Sequence, residues 1–248
     1  MTDESPQWAR RAQKPGRLRM RPRDMVSHVH GWVLIPLLIA VYAAQMFWLP
    51  DQGLGWALSP QAIQEGRWET LVTHMFLHGG LAHLFFNSTA FASLQTPVIL
   101  QLGRGVRGFV WFFLLYLACG LAGAAAYLGL HWGSDVPVVG ASGAICGLWG
   151  AASRLSYGGR LTGLFDRQVW LNVRNFTVMN LILVGLFVLP QLATGSAEVR
   201  SFIAWEAHVG GFLLGLFAIP LFQRWSGWRA PLVEPWEEIG LGVPPTPR

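Results

Sequence analysis

Six apolar runs, each close to the roughly 20 residues an α-helix needs to cross a bilayer, constrain this chain more than any other feature. They fall at about 32–49, 82–100, 108–130, 138–155, 176–192 and 207–222. Inside lipid every backbone N–H and C=O must find its partner within the protein, so runs of this length are expected as helices. The fold class that follows is all-α: a polytopic membrane protein with six transmembrane helices in one compact bundle. Composition agrees, with 52% hydrophobic and 12% charged residues, about half the charged share of a soluble domain. An even number of spans puts both termini on one side.

The remaining segments divide the chain into three expected parts. Residues 1–30 form a basic, disordered arm, 31–223 the six-span domain, and 224–248 a Pro-rich polar tail. Residues 50–81 are too polar to cross but carry Leu54, Trp56, Ile63, Trp68 and Leu71. They are expected as short amphipathic helices at the headgroups. Of the Lys and Arg residues, only Arg67 and Arg200 fall on one side of this topology. The excess of positive charge on the other side makes both termini cytoplasmic. The net charge of +5 therefore records topology and anionic-lipid contact, not nucleic-acid binding. Cys119 and Cys146 both lie inside spans and read as small packing residues, with no disulfide or metal site. The first apolar run is followed by no small-residue cleavage site, so it is expected to stay as a span.

The topology has a chemical consequence. Spans two, four and six all descend from the outer face. His83 and Asn87 begin span two, Ser142 lies about a turn into span four, and His208 begins span six. At 1.5 Å rise per residue these four side chains share a level within roughly 10 Å of depth. A serine hydroxyl is a weak nucleophile until a base within hydrogen-bond reach takes its proton, and imidazole is the usual base. Gly211 and Gly215 on span six, and Gly143 and Gly147 on span four, are spaced as small-xxx-small faces that let two helices close together. Such closure would bring His208 to Ser142. His83 and Asn87, four apart, share a helical face and could donate, with the Ser142 backbone N–H, to an oxyanion. No carboxylate stands at this level to orient His208. Glu206 is two residues away and points elsewhere, so a Ser-His dyad is expected, not a triad.

Each piece has a plainer reading. Serine in a glycine-rich span usually packs or bonds back to a carbonyl, and asparagine in a span is often interhelical glue. Histidines in spans can relay protons or bind transported ions, a reading that would use His74, His78, His83 and His208. It predicts internal repeat symmetry, which the chain lacks. No HExxH or paired-carboxylate motif suggests a metal or cofactor.

As a set, His74, His78, His83 and Asn87 entering span two, Gly140-Ala141-Ser142-Gly143 in span four, and Ala207-His208 with Gly211 and Gly215 in span six resemble the rhomboid family of intramembrane serine proteases, in its six-span bacterial form. The resemblance covers about residues 32–222. It implies Ser142 as nucleophile, His208 as base, His83 and Asn87 in the oxyanion hole, and His78 as a structural histidine of the first loop, with Gly140, Gly143, Gly211 and Gly215 shaping the site. It implies an inner (plasma) membrane location and, as partners, the bilayer and single-span membrane proteins cut near their outer ends. Two departures stand out. Glu69-Thr70 occupies the place of the family's Trp-Arg pair, where Arg67 could substitute. Cys146 occupies a position that is often aromatic beside the catalytic histidine. The 194–206 loop, with Phe202 and Trp205, is expected to cap a water-filled cavity, and the outer half of span five to move aside for substrate.

Overall fold

A computed structural model describes residues 29–133, 136–155, 161–187 and 204–228, with the backbone alone at 29, 30 and 187. Residues 1–28 of the arm, 229–248 of the tail and the 194–203 part of the expected cap lie outside the described residues. Within them, every regular element is a helix. α1 spans Val29–Trp32 and, after a turn at Val33, α2 spans Leu34–Phe47. The first loop follows as a 3-10 turn at Pro50–Trp56, α3 at Pro60–Gln64, α4 at Thr70–Thr73 and a 3-10 turn at His74–Phe76. Among the described residues, four longer helices and one short one follow: α5 Leu81–Leu102, α6 Gly105–His131, α7 Ser142–Ser153, α8 Arg167–Phe187 and α9 Trp205–Ser226.

Among the described residues, three helices are long and apolar enough to cross a membrane: α6, α8 through Leu186, and α9. α2 is apolar but shorter. The chain is thus an α-helical integral membrane protein.

α7 is central because its residues are small. Gly143 to Leu148, Gly150 and Ala151 are all buried, and neighbours come within contact of its backbone. A Cβ on Gly147 would strike Cys119 of α6, and one on Gly150 the Phe212 carbonyl of α9. Leu148 of α7 joins Phe91, Phe112, Tyr116 and Ile219 in one buried core cluster. Phe91 meets Phe112 and Tyr116 edge-on, at centroid separations of 5.9 and 6.1 Å, the geometry favoured by aromatic quadrupoles.

Two expected boundaries are corrected. The fourth run is apolar from residue 138, yet its helix begins at Ser142. Val138 instead exchanges both backbone hydrogen bonds with Leu58 of the first loop, at 2.7 and 3.0 Å, and Gly140 takes φ +131°, which no helix accommodates. Apolarity marks burial here, not helix. Span five begins well before Phe176, at Arg167, because Asp166 Oδ1 caps the Gln168 N–H at 2.7 Å and no breaker follows. Arg167 and Arg174 therefore ride on α8 and are not loop residues.

Candidate active site

Ser142 is the first residue of α7. Its N–H belongs to the first helical turn, whose donors have no intrahelical acceptor and where the helix dipole is positive. The turn that delivers it is tied to the first loop by the Leu58–Val138 bridge and by Gly140 N–H donating to the His74 carbonyl at 2.8 Å. Gly140 must be glycine twice over. Its φ of +131° disfavours any side chain, and a Cβ would lie 2.7 Å from His83 Cε1 and 2.9 Å from His83 Nε2. That same point is 3.7 Å from Ser142 Oγ, so the imidazole and the hydroxyl converge on the space a side chain would fill.

His208 comes from the first turns of α9. Its Nε2 is 2.8 Å from Ser142 Oγ, a bond between residues 66 positions apart. The approach depends on glycine: a Cβ on Gly211 would overlap the Gly143 carbonyl, and one on Gly215 the Gly147 carbonyl. Glu206 faces α6, 3.6 Å from His131 Nε2. The group that meets the other ring nitrogen of His208 is Asn180 of α8, with Oδ1 at 2.8 Å from Nδ1. Asn180 was not singled out by the sequence. The one signal available was an amide in an otherwise apolar run, which must find a partner but does not name it.

His83 Nδ1 accepts from the Gly79 N–H at 3.3 Å, which leaves the proton on Nε2, the nitrogen beside Gly140. One turn on, Asn87 is buried with its Nδ2 unpartnered among the described residues. Among the described residues, neither of these two donors on one face of α5 has a protein acceptor. His78 packs edge-on against His83, ring centroids 5.3 Å apart. Burial, and then the neighbouring His83, hold the His78 imidazole down at about 4. Burial likewise lowers His74 to about 4, against the opposing bond from its Nδ1 to the Thr70 carbonyl.

The first loop is anchored by two side chains. Buried Gln45 of α2 grips the backbone of His78: its Oε1 accepts the His78 N–H at 2.9 Å, and its Nε2 donates to the His78 and Gln52 carbonyls at 3.3 and 3.2 Å. Arg67 donates to the Gly55 carbonyl at 2.8 Å and pairs with Glu65, so an arginine does brace this loop, one position before Trp68. Cys146 is buried with Val169, Phe176, Phe212 and Leu216. Phe176 and Phe212 stack at 4.0 Å one turn from Asn180 and His208 respectively.

A hydroxyl bonded to imidazole, with a helix N-terminus beside it, is an arrangement in which a base can activate a serine. A family model described as a rhomboid domain matches residues 65–225. The chain is 35% identical over 156 residues to rhomboid protease GluP of Bacillus subtilis (strain 168), a match covering 63% of this chain and 26% of that protein. It is 28% identical over 161 residues to RHOMBOID-like protein 5 of Arabidopsis thaliana, covering 65% of this chain and 46% of that one. The chain thus spans less than half the length of either relative.

Proposed function

Because this chain belongs to the rhomboid family, we propose that it is a serine endopeptidase that cleaves transmembrane segments of single-span membrane proteins near the outer leaflet. One observation carries the reading: the 2.8 Å hydrogen bond between Ser142 Oγ and His208 Nε2. In the first step Ser142 Oγ attacks the scissile carbonyl as its proton passes to His208 Nε2. The carbonyl oxygen becomes an oxyanion, held by His83 Nε2–H, Asn87 Nδ2–H and the Ser142 N–H. The imidazolium then protonates the leaving amine, the C–N bond breaks, and an acyl-serine remains. Water, deprotonated by the same imidazole, releases the acid and restores the serine. No metal or cofactor enters these steps.

The wider setting belongs to the same proposal. α1 and α2 together, α5, α6, α7, α8 and α9 supply six spans, with both termini cytoplasmic in a bacterial inner membrane. α7, 12 residues long and about 18 Å by rise, is shorter than the hydrocarbon core. Its N-terminus would then sit below the outer surface at the floor of a wet cavity. A substrate helix must unwind to present a carbonyl there, so segments with helix-weakening and small residues near the outer end fit best.

The test is covalent labelling of the detergent-solubilised protein with a fluorophosphonate, beside Ser142→Ala and His208→Ala. Labelling of the wild type that both substitutions abolish supports the reading. Labelling that survives Ser142→Ala rejects it.

A further inference from the structure

We infer that Asn180 is a positioning residue for the base, so that the serine is armed only while α8 is docked against α9. The inference rests on the protease reading above. Four groups from three helices stand in one chain of hydrogen bonds. Asn180 Nδ2 donates to the Phe176 carbonyl at 3.0 Å, which fixes the amide so that Oδ1 faces α9. His208 Nδ1 lies 2.8 Å from that oxygen. An amide oxygen only accepts, so the proton must sit on Nδ1. His208 Nε2 is then left with its lone pair toward Ser142 Oγ, 2.8 Å away, the tautomer a general base needs. Flipping the amide would turn its oxygen against the Phe176 carbonyl, two acceptors facing each other.

The mounting of Asn180 makes this conditional. On α8 the buried side chains are Val169, Phe176 and Asn180, a narrow stripe on one face. Below Asn180 the helix is secured by the Phe176–Phe212 stack and by Trp149 Nε1, 3.4 Å from Asn172 Oδ1. Beyond Asn180, Leu181, Ile182 and Leu186 are exposed. Asn180 is thus the last buried tie between α8 and the bundle among the described residues. A displacement of α8 confined to residues past 180 leaves the imidazole held. One that lifts Asn180 frees the ring to rotate or change tautomer, and Ser142 loses its base.

The experiment compares Asn180→Leu, which keeps the volume but has no acceptor, with Asn180→Asp, which keeps the acceptor and adds charge, in the full chain. Fluorophosphonate reaction is followed from pH 5 to 9. Expected for Asn180→Leu is a maximal labelling rate lower by about tenfold to a hundredfold with unchanged half-saturation by the probe. Expected for Asn180→Asp is retained labelling whose acidic limb moves up by about one pH unit, because a carboxylate favours the imidazolium. Wild-type rate and profile in Asn180→Leu would overturn the inference. So would equal losses in both variants with an unmoved limb, the mark of packing alone. A second measurement needs no reactive serine: 15N spectra of histidine-labelled protein, assigned with His208→Ala. They should show His208 as the Nδ1–H tautomer in the wild type and a mixture in Asn180→Leu, and superimposable spectra would sink the idea. Should the wild type fail to label, the protease reading falls, and these spectra still judge Asn180.

Discussion

The α-hydrogen face of Gly211 rests on the carbonyl oxygen of Gly143, so closely that a methyl group at residue 211 would overlap that oxygen. This contact sets the distance between α7 and α9, and with it the reach from His208 to Ser142. Gly211→Ala is expected to force the helices apart, at a cost of about 1–3 kcal/mol for overpacking, and to lower fluorophosphonate labelling by more than tenfold. Gly185→Ala is the control, since nothing lies within 4 Å of a Cβ there. Thermal unfolding and labelling rates of the pair, measured together, check the expectation. Equal behaviour of the two variants would refute it.

Gly140→Ala tests the other close approach. Alanine at φ +131° is strained by about 1–2 kcal/mol, and its methyl collides with the His83 ring. The ring must move, so labelling should fall even where the protein still folds. A variant that melts like wild type and labels like wild type would show that His83 has room the geometry denies it.

His83→Ala and Asn87→Ala should each slow labelling by roughly 10²-fold through the maximal rate, leaving half-saturation by the probe nearly unchanged. The double variant should lose less than the product of the two, because both donors serve one oxygen. Loss confined to half-saturation would move both residues from stabilising the oxyanion to binding the probe.

Gln45 acts on the site only through the chain. It holds the His78 peptide group on both sides, just before the Gly79-Gly80 turn into α5. Gln45→Leu leaves a buried N–H and C=O unpaired, a cost of about 1–3 kcal/mol each at most. The expected outcome is a lower melting temperature together with slower labelling. An unchanged melt would mean water replaces the amide.

The first-loop histidines predict a pH dependence. Burial keeps His74 and His78 at about 4 in the folded protein, against about 6.5 when unfolded. Above about pH 6.5 both are neutral in both states and contribute no slope. As pH falls from 6.5 toward 4, the unfolded chain binds protons that the folded one refuses, so stability falls, by a few kcal/mol per histidine on the order of the shift. Below about 4 their contribution to the slope ends. Melting temperatures from pH 4 to 8 check this, and His78→Phe should flatten the decline. An equally steep decline in that variant would assign the effect to other groups.

How far the site could be read in advance varies by residue. The meeting of Ser142 and His208 was legible because each is a polar group in an apolar run, and because helix rise fixes their relative depth without knowledge of any contact; the same reasoning is what proposes His83 and Asn87. The paired glycines of α7 and α9 were legible because small residues at four-residue spacing serve close packing. The start of α7 was not, since hydropathy reports burial and is blind to the backbone bridge that holds Val138 to Leu58. Asn180 and Gln45 were not, because an amide declares that it needs partners but not where they are. Those partners lie 28 and 33 positions away.

Apolar run length and motif order are local properties of the chain, and they suffice for the helical membrane class and the family. The sequence also determined which polar side chains had to face inward. Which of them meet is set by how the helices pack. Hydrogen bonds of 2.8 Å from Asn180 to His208 and from His208 to Ser142 require three helices at one rotation and one spacing. Those are fixed by the glycine contacts of α7 with α9 and by the Phe176–Phe212 stack. Rotation and spacing arise from packing between segments distant in the chain, and no pattern within one segment encodes them.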